Sequence, residues 1–319
     1  MRIIFVGTAS FAVPILEKLI NAPEHQIICV VTQPDNCGGR GLKETVTPIK
    51  EIALKHKLHV FQPPNINEQS VAEELKRHMP EAIILTAYGQ IVSNYLLEIP
   101  KYGWINVHPS LLPKYRGAAP IAHSILNGDN ITGVSIIKMV KKMDAGPILA
   151  QQSLVMNPDE TALQLEKRLA DLGAIILLEV MHNLKTGETE PREQHPEEMT
   201  LAPCFKKEHG LINWTLSATQ IINHIRAMEP WPGAYTHFYS DTHKKVRVMI
   251  TKANIALKEE NFKDPPGTIV KVIKDALFVN SGKGLVQINE LQPAGKKIMP
   301  ARDFINGYRV KKGDRYGSL

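Results

Sequence analysis

The part of the chain richest in chemistry reads Asn106-Val107-His108-Pro109-Ser110-Leu111-Leu112-Pro113-Lys114-Tyr115-Arg116-Gly117. It closes an apolar run, residues 103–107, that predicts a buried strand. Side chains alternate along a strand, so Asn106 and His108 project to one side. Pro109 holds His108 extended and carries the alternation to the strand tip. A carboxamide donor and an imidazole then converge where the strand ends. That pair suits the stabilisation of an oxyanion formed in acyl transfer. The alternative at these residues is an Asn capping a turn beside a buried, hydrogen-bonded His. Several other chemistries lack their residues. There is no GxxxxGK[ST], no GxSxG and no HExxH, and the first turn, Gly7-Thr8-Ala9-Ser10-Phe11, is not GxGxxG. The missing glycine fingerprint disfavours a dinucleotide-linked dehydrogenase. Cys29, Cys37 and Cys204 form no CxxC pair and join no Cys/His cluster along the sequence, so no metal is expected. Reduced thiols fit a cytoplasmic setting.

These side chains need a frame. At 319 residues the chain has room for about two domains. With 43% hydrophobic and 22% charged residues, its composition is that of a globular protein and not of a fibre or a coiled coil. No apolar run reaches the ~18 residues of a membrane span, so no membrane is expected. The opening Met1–Gly7 reads as a first strand and is too short for a secretory core. Strand-like runs at 3–6, 26–31, 59–61, 82–85 and 103–107 alternate with helical patterns at 11–20, 48–57 and 67–79. Thr47 before Pro48 has the form of an N-cap ahead of a first-turn proline. This rhythm predicts an α/β fold, a Rossmann-like, mainly parallel sheet with helices on both faces. Ligands bind such sheets beyond the carboxyl ends of the strands. Runs at 132–139 and 147–154 read as a hairpin, and 161–184 as a long helix. Residues 186–208 are polar and proline-rich, the composition of a linker. Beyond them lie a helix at 217–227 and short strands at 244–253, 268–273, 276–280 and 284–291. Those strands predict a small OB-like β-barrel. The expected organisation is therefore a catalytic domain over 1–185, a linker over 186–208 and a basic barrel over 209–319.

Charge is uneven along the chain. His209–Leu319 carries 17 Lys and Arg against 9 Asp and Glu, an excess of +8, whereas Met1–Glu208 carries 21 against 23. Such a surface is either a solvated lysine face or a seat for a polyanion such as nucleic acid.

The string Asn-x-His-x-Ser-Leu-Leu-Pro-x-Tyr-Arg-Gly resembles the signature of the formyltransferases that use 10-formyltetrahydrofolate. Met143-Asp144-Ala145-Gly146-Pro147-Ile148 is similar to that family's Asp loop, and Phe5–Pro14 and Ala87–Gln90 are similar as well. The length and second domain resemble the members acting on methionyl-tRNA. The resemblance implies Asn106, His108 and Asp144 as catalytic residues. An amine attacks the formyl carbon, Asn106 and a protonated His108 hold the oxyanion, and Asp144 balances the imidazolium and orients a proton-accepting water. Without the resemblance, Asp144 reads as an ordinary turn residue.

The resemblance assigns folate binding to Ser110, Leu111, Leu112 and Pro113, an apolar wall for a flat pterin. The resemblance, together with their place at the carboxyl end of the 82–85 strand, extends that assignment to Tyr88, Gly89 and Gln90; the alternative there is a strand-end turn around Gly89. The resemblance also assigns tRNA contact to Arg40 and Lys43, in the glycine-rich stretch Gln33–Lys43, with Asn36, Cys37 and Leu42 departing from the family's more basic version. It implies initiator methionyl-tRNA as acceptor and 10-formyltetrahydrofolate as donor, in a monomer. Lys244, Lys245, Arg247, Lys296, Lys297, Arg309, Lys311 and Lys312 are candidates for phosphate contact in the barrel. The alternative within this chemistry is a formyltransferase acting on a sugar-nucleotide amine, which needs neither the Arg40 loop nor a basic barrel. A relative acting on glycinamide ribonucleotide gives no reason for the second domain. A nucleic-acid-binding module on an inert scaffold would need neither His108 nor Asp144.

Overall fold

The structure is a computed structural model that describes residues 1–37, 44–241, 245–257 and 263–317. Arg40, Lys43 and Lys244 lie outside the described residues. Two compact units are present. The first comprises Met1–Pro120, Ile131–Met156 and Leu165–Pro203; the second comprises Ile121–Asn130, Asn157–Gln164 and Cys204–Leu319.

The first unit begins with β1 (Arg2–Gly7), α1 (Ala12–Ile20), β2 (Gln26–Val31), α2 (Pro48–Lys55), β3 (Val60–Phe61), α3 (Gln69–Arg77), β4 (Ala82–Thr86), α4 (Asn94–Leu97) and β5 (Trp104–His108). After α5 (Pro120–Leu126), which falls in the second unit from Ile121 on, the first unit resumes with β6 (Ile131–Lys138), β7 (Ile148–Val155) and, from Leu165, α6 (Ala162–Thr186). The sheet order is β3-β2-β1-β4-β5-β6-β7. The pairs from β3 to β5 are parallel; β6 then adds antiparallel to β5, and β7 antiparallel to β6. The α/β reading therefore holds, with the expected hairpin forming the antiparallel edge. Local chemistry explains the elements. Every residue of β4 and β5 is buried, as a sheet covered on both faces requires. Thr47 caps α2 by accepting from the Lys50 amide, ahead of Pro48 in the first turn.

Strand order reverses between β1 and β4, which opens a crevice at their carboxyl ends. Loops meet there. The Ala87 carbonyl accepts from the Thr8 and Ala9 amides at 3.2 and 3.3 Å. Gln33 Nε2 donates to the Tyr88 carbonyl at 2.7 Å. Beneath β5, Gly173 of α6 lets the helix approach closely, since a Cβ there would lie 2.8 Å from Val107 Cγ1. Val107 thus faces the helix, and its neighbours Asn106 and His108 face the other way.

The composition of residues 186–208 predicted a linker, but the segment through Pro203 is bonded into the first unit. Arg192 and Ile148 exchange both backbone hydrogen bonds, at 2.7 and 2.8 Å. The amides of Arg116 and Ala202 donate to the Thr200 and Arg116 carbonyls, at 2.9 and 2.8 Å.

The second unit contains α7 (Ala218–Ala227), β8 (Tyr235–Tyr239), β9 (Val246–Leu257), β10 (Ile269–Ile273), β11 (Ala276–Asn280), β12 (Leu285–Pro293), β13 (Met299–Pro300), α8 (Ala301–Tyr308) and β14 (Arg315–Gly317). Its sheet runs β10-β11-β12-β9-β8-β14, with β13 on β12. The ends meet through an antiparallel bridge from Thr268 to Arg315 and a 2.7 Å bond from the Tyr316 amide to the Gly267 carbonyl. The sheet is a curled antiparallel barrel, in agreement with the sequence reading. Inside it, Phe238 meets Phe304 edge-on at 5.2 Å and Trp214 stacks on Tyr316 at 5.7 Å.

Gly173→Val should destabilise the first unit by about 1–3 kcal/mol through overpacking against Val107. A melting temperature lowered by several degrees is the expected readout.

Candidate active site

The register of β5 sets the site. Asn106 and His108 pair with Ile137 and Ser135 of β6 and project from the same face. Asn106 is 8% exposed and His108 4%. Asp144 enters from the β6–β7 loop. Asn106 Nδ2 donates to Asp144 Oδ1 at 3.2 Å, and His108 Nδ1 lies 3.8 Å from the same oxygen. The Gly117 amide donates to Asp144 Oδ2 at 2.9 Å. The three residues singled out in the sequence therefore converge.

The imidazole is fixed from its far side, where His108 Nε2 lies 3.0 Å from the Tyr115 carbonyl. A carbonyl only accepts, so Nε2 carries the proton and neutral His108 turns its Nδ1 lone pair toward Asp144. Tyr115 has φ 62°, in the left-handed region, and its amide donates to Thr200 Oγ1 at 2.8 Å. Gly117 has φ +125°, and a Cβ there would lie 2.7 Å from the Ala202 carbonyl oxygen, so no larger residue fits. The described non-glycine residues with positive φ divide in two. Lys57, Met79 and Arg309 end helices, where such a cap is routine. Ala87, Tyr115 and Asp144 lie in the loops around the site. Backbone strain of about 1–2 kcal/mol each is thus concentrated there.

The Asp144 loop is also held from behind by a contact that sequence reasoning missed. Gln194 Nε2 donates to the Asp144 and Gly146 carbonyls at 2.8 and 2.7 Å. The Arg116 guanidinium donates to Gln194 Oε1 from Nε and Nη2, at 3.1 and 2.6 Å. Arg116 was visible inside the motif; Gln194 sat in apparent linker.

The expected folate segments leave neighbouring strand ends, since Leu85 of β4 pairs with Asn106 of β5. Ser110–Pro113 is rigidly tied. Ser135 Oγ donates to the Ser110 carbonyl at 2.6 Å and accepts from the Leu112 amide at 3.0 Å. Gln151 Nε2 donates to the Leu112 carbonyl at 2.9 Å, and Ser110 Oγ to the Lys114 carbonyl at 2.6 Å. Leu111 sits over Gly133, its Cδ2 being 2.5 Å from where a Cβ would lie, and Leu112 is buried with Ile137 and Ile148. The Leu112–Pro113 peptide is cis. In the other segment, Tyr88 packs into the core beside Val92, Leu96 and Trp104, and burial pushes its hydroxyl up to about 12. Gly89 has φ +89°. The Gln90 side chain is engaged with the 64–66 loop, accepting from the Ile66 amide at 2.9 Å and donating to the Pro64 carbonyl at 3.0 Å.

The root of the glycine-rich loop lies at the same edge. Residues 36–37 pair with residues 44–45. Lys50 and Gln62 hydrogen-bond to Asp35 and hold its carboxyl below the usual carboxylate range.

Folding does assemble a Cys/His group that no sequence spacing revealed. Cys29, His59 and His78 each place one ligand atom within 4.8 Å of the others. They come from β2, the residue before β3, and the end of α3, so only the sheet brings them together.

The family comparison accords with this geometry. Residues 1–181 match the family described as "Formyl transferase", and residues 205–309 match "Formyl transferase, C-terminal domain". The chain belongs to the formyl transferase family. Its relatives include proteins named methionyl-tRNA formyltransferase from several bacteria. That of Caldanaerobacter subterraneus subsp. tengcongensis is 42% identical, over 98% of this chain and 99% of the relative. Those of Caldicellulosiruptor saccharolyticus and Geobacter sulfurreducens are 41% and 39% identical, over 98% and 99% of this chain and 99% and 97% of the relative. Among solved structures, the fold is shared with WlaRD, a sugar 3N-formyl transferase, at TM-score 0.65 and 17% identity over 93% of this chain and 99% of that one. It is also shared with HypX from Aquifex aeolicus in complex with tetrahydrofolic acid, at TM-score 0.61 and 17% identity. That match covers 100% of this chain, which spans about half (51%) of HypX.

Burial also raises the Cys29 thiol to about 12, whereas Cys204 is exposed. Iodoacetamide at pH 8 should therefore alkylate Cys204 and spare Cys29 in the native protein. Peptide mass spectrometry reads the two sites separately, and equal labelling would contradict the burial described.

Proposed function

We propose that this protein transfers the formyl group of 10-formyltetrahydrofolate to the α-amino group of methionine on initiator methionyl-tRNA, in the cytoplasm and as a monomer. The observation that carries this reading is the convergence of Asn106, His108 and Asp144 at the sheet's carboxyl edge, in a member of the formyl transferase family. Near-full-length likeness to proteins named methionyl-tRNA formyltransferase supports the acceptor.

The residues account for each step. The amine forms a bond to the formyl carbon, and the carbonyl electron pair moves onto oxygen. Asn106 Nδ2 has two hydrogens; one is given to Asp144 and the other can meet the oxyanion. Protonated His108 adds a second donor at Nδ1, its charge balanced by the Asp144 carboxylate 3.8 Å away. Asp144, directly or through a water, takes the proton released by the amine. Collapse restores the carbonyl and breaks the bond to folate N10, which leaves with that proton. The bonds made and broken are those of the two substrates, and the protein supplies hydrogen bonds and a proton acceptor, so the steps call for no metal and no covalent enzyme intermediate.

Ser110–Pro113 forms the wall for the folate ring, with Tyr88–Gln90 beside it at the next strand end. For the latter, the backbone is the element offered to ligand, because the Tyr88 and Gln90 side chains are engaged elsewhere. The tRNA engages two regions. One is the glycine-rich stretch with Arg40 and Lys43, whose root is bonded to the β4 loop through Gln33. The other is the basic second unit, where Lys245, Arg247, Lys296, Lys297, Arg309, Lys311 and Lys312 are exposed. An excess of +8 over 209–319 favours a polyanionic acceptor over a sugar nucleotide.

The direct test supplies 10-formyltetrahydrofolate with charged initiator tRNA and a nucleotide-linked amino sugar together. Formyl-methionyl-tRNA is the expected product, and formylation of the sugar alone would reject the proposed acceptor. His108→Ala should lower kcat by about 10²–10⁴-fold with tRNA affinity nearly unchanged. Raising salt from 50 to 200 mM should weaken tRNA binding steeply, about tenfold or more for several phosphate contacts. Salt-insensitive binding would contradict the role given to the basic unit.

A further inference from the structure

We propose that Gln194 is a positioning residue for the transfer reaction: its carboxamide holds the Asp144 loop in the one backbone conformation that faces His108 and Asn106. The inference rests on the formyl-transfer reading of Asp144 and adds a residue to it.

Asp144 has φ 50°, in the left-handed region, a conformation that costs a side-chain-bearing residue energy even though Asp accepts it better than most. Its loop must turn there to bring the carboxylate back over β5. A Cβ on Gly146 would lie 1.7 Å from the Lys138 carbonyl oxygen, so the loop already packs against its own strand. Gln194 bridges the turn, giving one Nε2 hydrogen to the Asp144 carbonyl and the other to the Gly146 carbonyl, at 2.8 and 2.7 Å. Two carbonyls of one short turn are thus tied to a single planar group.

That group cannot flip. Its oxygen accepts two hydrogen bonds from the guanidinium of Arg116, a residue only 3% exposed, and Gln194 itself is 8% exposed. A guanidinium only donates, so the amide oxygen must face Arg116 and the amide nitrogen must face the Asp144 loop. The two segments are linked again next to Arg116. The Gly117 amide donates to Asp144 Oδ2 at 2.9 Å, and the Arg116 amide to the Thr200 carbonyl at 2.9 Å. Residues 192–202 therefore brace both the backbone and the carboxylate of Asp144. Gln194 acts through Asp144 and has no part in the chemistry itself.

Two variants separate positioning from simple packing. Gln194→Glu is nearly isosteric and keeps an acceptor for Arg116, but turns both donors toward the loop into an acceptor. Gln194→Met removes the donors without adding charge. Both should lower kcat by about 10–100-fold through misplacement of the carboxylate. KM for both substrates should stay within about twofold, and the pH profile of kcat should move toward that of Asp144→Asn. If Gln194 serves only as the hydrogen-bond acceptor for Arg116, Gln194→Glu keeps the wild-type rate and pH profile, and the proposal is overturned. Should Gln194→Glu fail to fold, Gln194→Met decides in the same way, full kcat rejecting the proposal. Asp144→Asn is the control for the underlying reading. Its full retention of activity would remove the catalytic role of Asp144, whereas its loss beside a fully active Gln194 variant would remove only the positioning role.

Discussion

The site depends on the hydrogen bond between His108 Nε2 and the Tyr115 carbonyl. An imidazole has two nitrogens and, when neutral, one proton. Whichever nitrogen faces an obligate acceptor keeps that proton. The Tyr115 carbonyl therefore decides that Nδ1 is the nitrogen offered to Asp144 and to substrate. Without it the ring could turn, and the 3.8 Å approach of Nδ1 to the carboxylate would have no fixed chemical meaning.

Much of the surrounding chain serves to place that carbonyl and the carboxylate on the other side of the ring. Tyr115 stands in the left-handed region and is tethered by Thr200; Gly117 passes so close to the Ala202 carbonyl that a side chain is excluded. The loop after β5 is closed by Ser135 and Gln151, reaching across from β6 and β7. Segments far apart in the chain thus supply one rigid rim. Such preorganisation matters for acyl transfer, because donors already aimed at a developing oxyanion need no reorganisation when it forms. The antiparallel β6–β7 edge makes this possible, since it carries Asp144 in its connecting loop beside the strand that bears Asn106 and His108.

The sequence made some of this legible and concealed the rest for physical reasons. Apolar runs and turn signals placed the parallel strands to within about a residue, because burial on both faces leaves a continuous apolar trace. The alternation of Asn106 and His108 followed from strand geometry alone. Long-range partners left no such trace. Gln194 and Thr200 lie among glutamates and prolines, and a polar residue bonded inside a fold looks like one in solvent until its partners are known. Tyr88 and Gln90 were expected at the folate pocket from their place at a strand end. The fold uses the Tyr88 ring in the core and the Gln90 amide to pin a neighbouring loop. Cys29, His59 and His78 came together only through the pairing of β2 with β3 and the packing of α3. Two elements of the second unit, β8 and α8, were missed as well: β8 directly follows the proline-rich turn 230–233, and α8 contains Asn306 and Gly307, which read as a turn.

The most direct measurement is ¹⁵N NMR of the free protein with labelled histidine, the His108 signals being assigned by their loss in His108→Gln. The account predicts that Nε2 stays protonated throughout and that Nδ1 is the nitrogen whose shift moves with pH. Finding neutral His108 with its proton on Nδ1 would contradict it, because the Tyr115 carbonyl could then no longer be the group that orients the ring.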